Sequence, residues 1–150
     1  MEPRRGTVDY EELFNLSYWR VFDRQMDGMD FLDAFYDRFV SASPTIREHF
    51  KNTDMDRQKD MLRISLVEMS KFFVNKTADS HMQRIARIHS KHERKVKPEL
   101  YDLWLESLID TVRNFDPDFN HEIELSWRMV LSAGITYMKF KYDHDGIVGD

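Results

Sequence analysis

The chain has 150 residues and a mass of 18.1 kDa, a length that one core organises as a single domain. Apolar residues make up 41% of it and aromatics 13%, which excludes a disordered polymer, and with no cysteine there is no disulfide framework, thiolate metal site, iron–sulfur cluster or cysteine nucleophile. A net charge of −5 disfavours a general nucleic-acid binder or a protein of anionic membrane surfaces.

Five Gly, four Pro and apolar spacings of three and four predict an all-α chain with no strand. A first helix is expected over about Val8 to Asp23, with Thr7 as N-cap and Phe14, Tyr18, Val21 and Phe22 on its buried stripe. Gly28 breaks it. The second, about Met29 to Ser41, carries Phe31, Leu32, Phe35, Phe39 and Val40, and Ser43-Pro44 ends it because proline disfavours helix in the residue before it. A short helix follows from Pro44 to Phe50. Asn52-Thr53-Asp54 supplies a cap for a long helix, about Met55 to Phe73, on which Met55, Leu62, Leu66, Met69 and Phe73 recur at helical spacing. Another helix is expected over about His81 to Lys91. Lys97-Pro98 opens the next, with Leu100, Leu103, Trp104, Leu108, Ile109 and Val112 on its apolar face, and Asp116-Pro117 closes it. The last helix, about Asn120 to Tyr142, uses Ile123, Trp127, Val130, Leu131, Ile135, Met138 and Phe140.

No uncharged apolar run approaches the 18 residues or so that span a bilayer, and the start has no apolar signal core, so the chain reads as soluble and cytoplasmic, with no membrane or nucleic-acid partner. A Gly-rich phosphate loop, a Gly-x-Ser-x-Gly elbow, His-Glu-x-x-His and paired Glu-x-x-His motifs are all missing. Nucleotide hydrolysis, acyl transfer, zincin and di-iron chemistry lose their residues.

What remains is a basic stretch around histidines. Arg84, Arg87, Lys91, Arg94, Lys95 and Lys97 stand against the single Glu93, which suits an anionic neighbour or simply a solvated face. His89, His92 and Glu93 have ligand-like spacing, because residues three and four apart share a helix face. His92 sits among charged neighbours, whereas His89 follows Ile85-Ala86-Arg87-Ile88 at an apolar edge, where a histidine is either a satisfied core residue or a cofactor ligand.

The run Phe35-Tyr36-Asp37-Arg38-Phe39, then Pro44, Phe50, Gln58, Leu62, Ile85-Ala86-x-x-His89 and Lys97-Pro98-Glu99-Leu100-Tyr101 resembles the single-domain bacterial globins and the haem domain of flavohaemoglobins over most of the chain. Sensor globins share part of it. The resemblance implies one globin domain over residues 1–150, its helices packed around a haem pocket. It implies haem b (iron protoporphyrin IX) with His89 as proximal metal ligand and His92 as the alternative. It makes Phe50 the ring against the haem, Tyr36 and Gln58 the distal hydrogen-bonding pair and Leu62 the distal apolar wall. Tyr101 belongs to the same set, but the interval from His89 to it is longer than the family's, so its hydroxyl is not expected to reach the ligand histidine. The interval from Phe50 to Gln58 is shorter. The family's carboxylate near the end of the last helix falls near Tyr142, where this chain has none. The basic residues would meet the haem propionates, and Met55, Met61 and Met69 either border the haem or fill the core.

Three roles stay open on these residues. One is binding, carriage or scavenging of dioxygen, with nitric oxide and carbon monoxide as further ligands. A second is nitric oxide dioxygenation with a separate reductase, and a third is a gas or stress sensor. The protein would be a monomer or a homodimer.

Overall fold

The computed structural model describes residues 7–90 and 96–144. Seven helices occur among them: α1 Tyr10–Phe22, α2 Phe31–Val40, α3 Pro44–Phe50, α4 Met55–Asn75, α5 Ser80–Ile88, α6 Leu100–Phe115 and α7 His121–His144. Short polar side chains begin them. Asp9, Asp30, Ser43, Asp54 and Asp79 each accept the backbone N–H of the residue three further on, which satisfies a donor that the first turn leaves over. The cap of α1 is therefore Asp9 and not Thr7.

The expectation of no strand is corrected at one place. Gln25–Met26 and Met29–Asp30 pair antiparallel as β1 and β2 around Asp27 and Gly28, whose φ values of 53° and 77° make the two-residue turn that suits a right-twisted hairpin. Helix α4 runs two residues past Phe73 and stops where Lys76 turns left-handed at φ 58° and returns its N–H to the Phe72 carbonyl. Helix α5 ends at Ile88, earlier than Lys91, and makes His89 its C-cap. His92 and Glu93, with Lys91, Arg94 and Lys95, lie outside the described residues.

Packing follows the apolar faces. Helices α1 and α4 both lie on α7, and α2 packs on α6. Trp127 is fully buried with its ring 4.6 Å from that of Phe14, and Phe31 bridges Phe115 and Trp127. Two positions expected inside are outside: Leu103 is 39% exposed and Phe140 56%. At Gly134 a Cβ would come within 2.6 Å of Met69 Cε and 2.9 Å of its Cγ, so only glycine lets α7 approach α4 this closely.

A buried polar relay pins α1 to the end of α6. Trp127 Nε1 donates to Ser17 Oγ (2.9 Å), Ser17 donates to Asp116, and Arg20 makes a two-pronged contact with the same carboxylate at 2.7 and 2.9 Å. Burial pushes the Asp116 carboxyl up, but Arg20, the Ser17 hydroxyl and the Asp118 N–H outweigh it and hold the group below its ordinary value. Such a depressed carboxyl stabilises the fold in full above its unfolded pKa and loses that contribution as pH falls through the folded value. Asp116→Ala is expected to cost about 2–3 kcal/mol at neutral pH, short of a fully buried pair because Arg20 remains partly hydrated. The deficit should narrow below about pH 4. Urea unfolding at pH 7 and pH 3.5 checks both.

Candidate functional site

Between α4 and α5, and roofed by α2, α6 and α7, lies a cavity of about 930 Å³ counting its open mouth. Its walls are mainly apolar. Helix α2 contributes Tyr36 and Phe39, and the end of α3 contributes His49 and Phe50. From α4 come Gln58, Met61, Leu62, Ser65 and Met69, one continuous row at steps of three and four. Helix α5 and its cap add Ile85, Ile88 and His89, while Tyr101 and Trp104 come from α6 and Met138 from α7.

All six residues singled out from the sequence, Tyr36, Phe50, Gln58, Leu62, His89 and Tyr101, therefore line one space. His49, Ser65, Trp104 and Met138 were missed. Ser65 could have been found by extending the Gln58–Leu62 row one turn, but nothing near His49 marks it. Met61 and Met69 reach the cavity; Met55 does not. Among the described lining residues there is no Lys or Arg, and the basic stretch falls largely outside what is described.

His89 is held by its own helix. Its Nδ1 lies 2.7 Å from the Ile85 carbonyl oxygen, which also accepts the His89 backbone N–H at 3.1 Å. A carbonyl only accepts, so Nδ1 carries the proton; in the neutral ring the lone pair then lies on Nε2, the form in which imidazole binds metals.

Tyr36 and Gln58 form a pair 22 residues apart in the chain. Gln58 Nε2 donates to Tyr36 Oη at 3.2 Å, which leaves the phenol's own proton to donate elsewhere. Tyr36 is 4% exposed, and burial pushes its hydroxyl up to about 12 although the Gln58 hydrogen bond pulls the other way. It stays a donor at any physiological pH. Its ring stands edge-on to Phe50 at 6.0 Å.

Tyr101 does not use its hydroxyl on His89. It donates to Met138 Sδ at 3.9 Å, a weak contact with a poor acceptor, and burial raises its phenol. The residue opposite Tyr101 is thus a thioether one turn before Tyr142, the position at which the sequence comparison looked for a carboxylate.

No three His, Asp or Glu side chains among the described residues gather closely enough to hold a bare metal ion, and no described helix is long and apolar enough to cross a membrane. The site instead gathers two imidazoles, His49 and His89, the hydrogen-bonded Tyr36–Gln58 pair and a mainly apolar lining around one space.

This arrangement, with α4 and α5 flanking a pocket that α2, α6 and α7 complete, is the globin fold. A solved structure from Pseudomonas aeruginosa PAO1, described as structurally highly homologous to a human hemoglobin, superposes on the chain with a TM-score of 0.81 and 34% sequence identity, covering 89% of this chain and 98% of that one. The chain belongs to the same globin family as that bacterial protein. No protein-family model and no curated protein matches it. The likeness is to a globin and does not single out the flavohaemoglobins.

Proposed function

We propose that the protein binds one haem b through His89 and takes up dioxygen, nitric oxide or carbon monoxide on the side of Tyr36 and Gln58. The observation that carries the reading is the His89 ring itself, whose proton is fixed on Nδ1 by the Ile85 carbonyl in the wall of a cavity that also holds the Tyr36–Gln58 pair. The residues fit the group. When bound, haem would supply an iron able to take an imidazole nitrogen, here that of His89, and a diatomic gas.

The chain's own residues do the rest. Leu62, Phe39, Met69 and Phe50 exclude water, which strengthens every hydrogen bond made inside. Tyr36 Oη, steadied by Gln58, presents its proton to whatever negative charge develops on a bound ligand, at a gain of about 1–3 kcal/mol in a dry site. Dioxygen, which draws negative charge when bound, gains more than carbon monoxide. Absorption spectra of the purified protein, ferric, ferrous and with carbon monoxide, test the reading: a Soret band that shifts on reduction and again on adding gas is expected, and a colourless protein that takes up no added haemin overturns it.

Binding and carriage fit the site better than nitric oxide dioxygenation with a separate reductase. A carboxylate relayed through a tyrosine would make the histidine more anionic and push electron density toward the metal, but Tyr101 is committed to a thioether. The ferrous iron–histidine stretch in a resonance Raman spectrum is expected at the low frequency of a histidine whose Nδ1 proton goes to a backbone carbonyl, together with slow nitric oxide turnover when a generic flavin reductase and reduced nicotinamide are supplied. A high-frequency band with sustained turnover would favour the enzyme.

A further inference from the structure

On the outer side of the cavity wall a groove runs between α2 and the start of α4, bordered by Met29, Asp33, Val40, Met55 and Lys59. Tyr36 and Phe50 line it as well, and the same two rings line the inner cavity. The partition between the two spaces is therefore one layer of side chains. Its rings meet edge to face with centroids 6.0 Å apart at 69°, so their boundary is an edge contact, not an interlocked stack. Phe50 ends α3 and precedes a loop, where the backbone gives most easily. On the surface the groove is crossed by the Lys59 ammonium, which pairs with the Asp33 carboxylate and lies 3.9 Å from Asp56.

We infer that this groove is a second way into the cavity for small uncharged gases, entered past the Lys59–Asp33 pair and completed between the rings of Tyr36 and Phe50. The inference rests on the haem reading above, in which the gas binds on the side of Tyr36 and Gln58. Beyond the ion pair the groove is lined by Asp37 and Ser41 together with the apolar side chains of Met29, Val40 and Met55, and it is this apolar part that suits ligands carrying no charge.

Carbon monoxide is the probe, with its bimolecular recombination after flash photolysis as the readout, because an uncharged ligand is not steered by the charges being altered. Val40→Trp fills the groove without touching the cavity and is expected to slow recombination about fivefold, while Lys59→Ala removes the latch and is expected to speed it about threefold. Soret spectra of both should match the parent. Xenon-pressurised crystals of the parent should hold an atom between Val40, Met55 and Phe50, and the Val40→Trp crystals none. Should Val40→Trp fail to fold, Lys59→Ala and the xenon site decide. Unchanged recombination in the variants with intact Soret bands, and no xenon in the groove, overturns the route while leaving the haem reading standing. A parent protein with no Soret band overturns both.

Discussion

His89→Gly is expected to lower haem affinity by at least about a hundredfold, some 2.7 kcal/mol, because it deletes the imidazole whose tautomer the Ile85 carbonyl fixes for coordination. Among the described residues that α5 and its cap bring to the cavity there is no substitute. Ile85 and Ile88 are the other cavity-lining residues there, and neither has a donor atom. The loss should be chemical, not conformational, since a C-cap position tolerates glycine well and the circular dichroism of the haem-free variant should match that of haem-free parent. Adding free imidazole should restore the Soret band, which a merely structural role for His89 would not allow. His92→Ala is expected to be nearly silent. Retention of haem in the His89 variant and its loss in the His92 variant would reverse the assignment.

The reasons some of this was legible in the sequence, and some not, are physical. Periodicity located six of the seven described helices and the proline at Pro44 the short α3, where Ile46 alone is buried, and the Gln58–Leu62 step on α4 already pointed at one wall of the cavity. The hairpin at residues 25–30 escaped because two-residue strands have no period; only Asp27-Gly28 announces it. Leu103 and Phe140 were placed inside because hydrophobicity was read without a partner surface, and a single exposed Leu or Phe is ordinary on a folded protein. The Tyr36–Gln58 hydrogen bond joins two helices, and neither residue's own neighbours announce it; the resemblance to globins carried that pairing, not the spacing. The Asp116 relay is the clearest omission. Asp116-Pro117 read as a helix breaker, whereas the same aspartate is buried and holds Ser17 and Arg20, 99 and 96 residues away, with Trp127 bonded to Ser17 in turn. A stop signal and a buried anchor have the same spelling.

Tyr36→Phe is expected to speed dioxygen release about tenfold, since a hydrogen bond worth about 1.4 kcal/mol in the closed cavity is a factor of ten in rate. The substitution keeps the ring that packs on Phe35 and Phe50, so the wall of the cavity stays in place and only the donor goes. Carbon monoxide, which carries little charge when bound, should dissociate within about twofold of the parent rate. Gln58→Leu should act in the same direction but more weakly, because the Gln58 amide donates to Tyr36 Oη and so orients the phenol's remaining proton. For the same reason the two effects should not add: once Tyr36 is Phe, the orienting bond has no acceptor and the second substitution has less left to remove. The pH dependence follows from burial. With its hydroxyl pushed up to about 12, Tyr36 remains protonated and donating from pH 6 to pH 10, so the parent's slow release should be flat across that range and quicken only as pH climbs toward 12. Stopped-flow displacement of dioxygen by carbon monoxide reads all four proteins, parent, both single variants and the double, on one axis. Release rates unchanged in Tyr36→Phe would mean that the phenol proton does not face the bound gas, and strict additivity with Gln58→Leu would mean that the two side chains act on it separately.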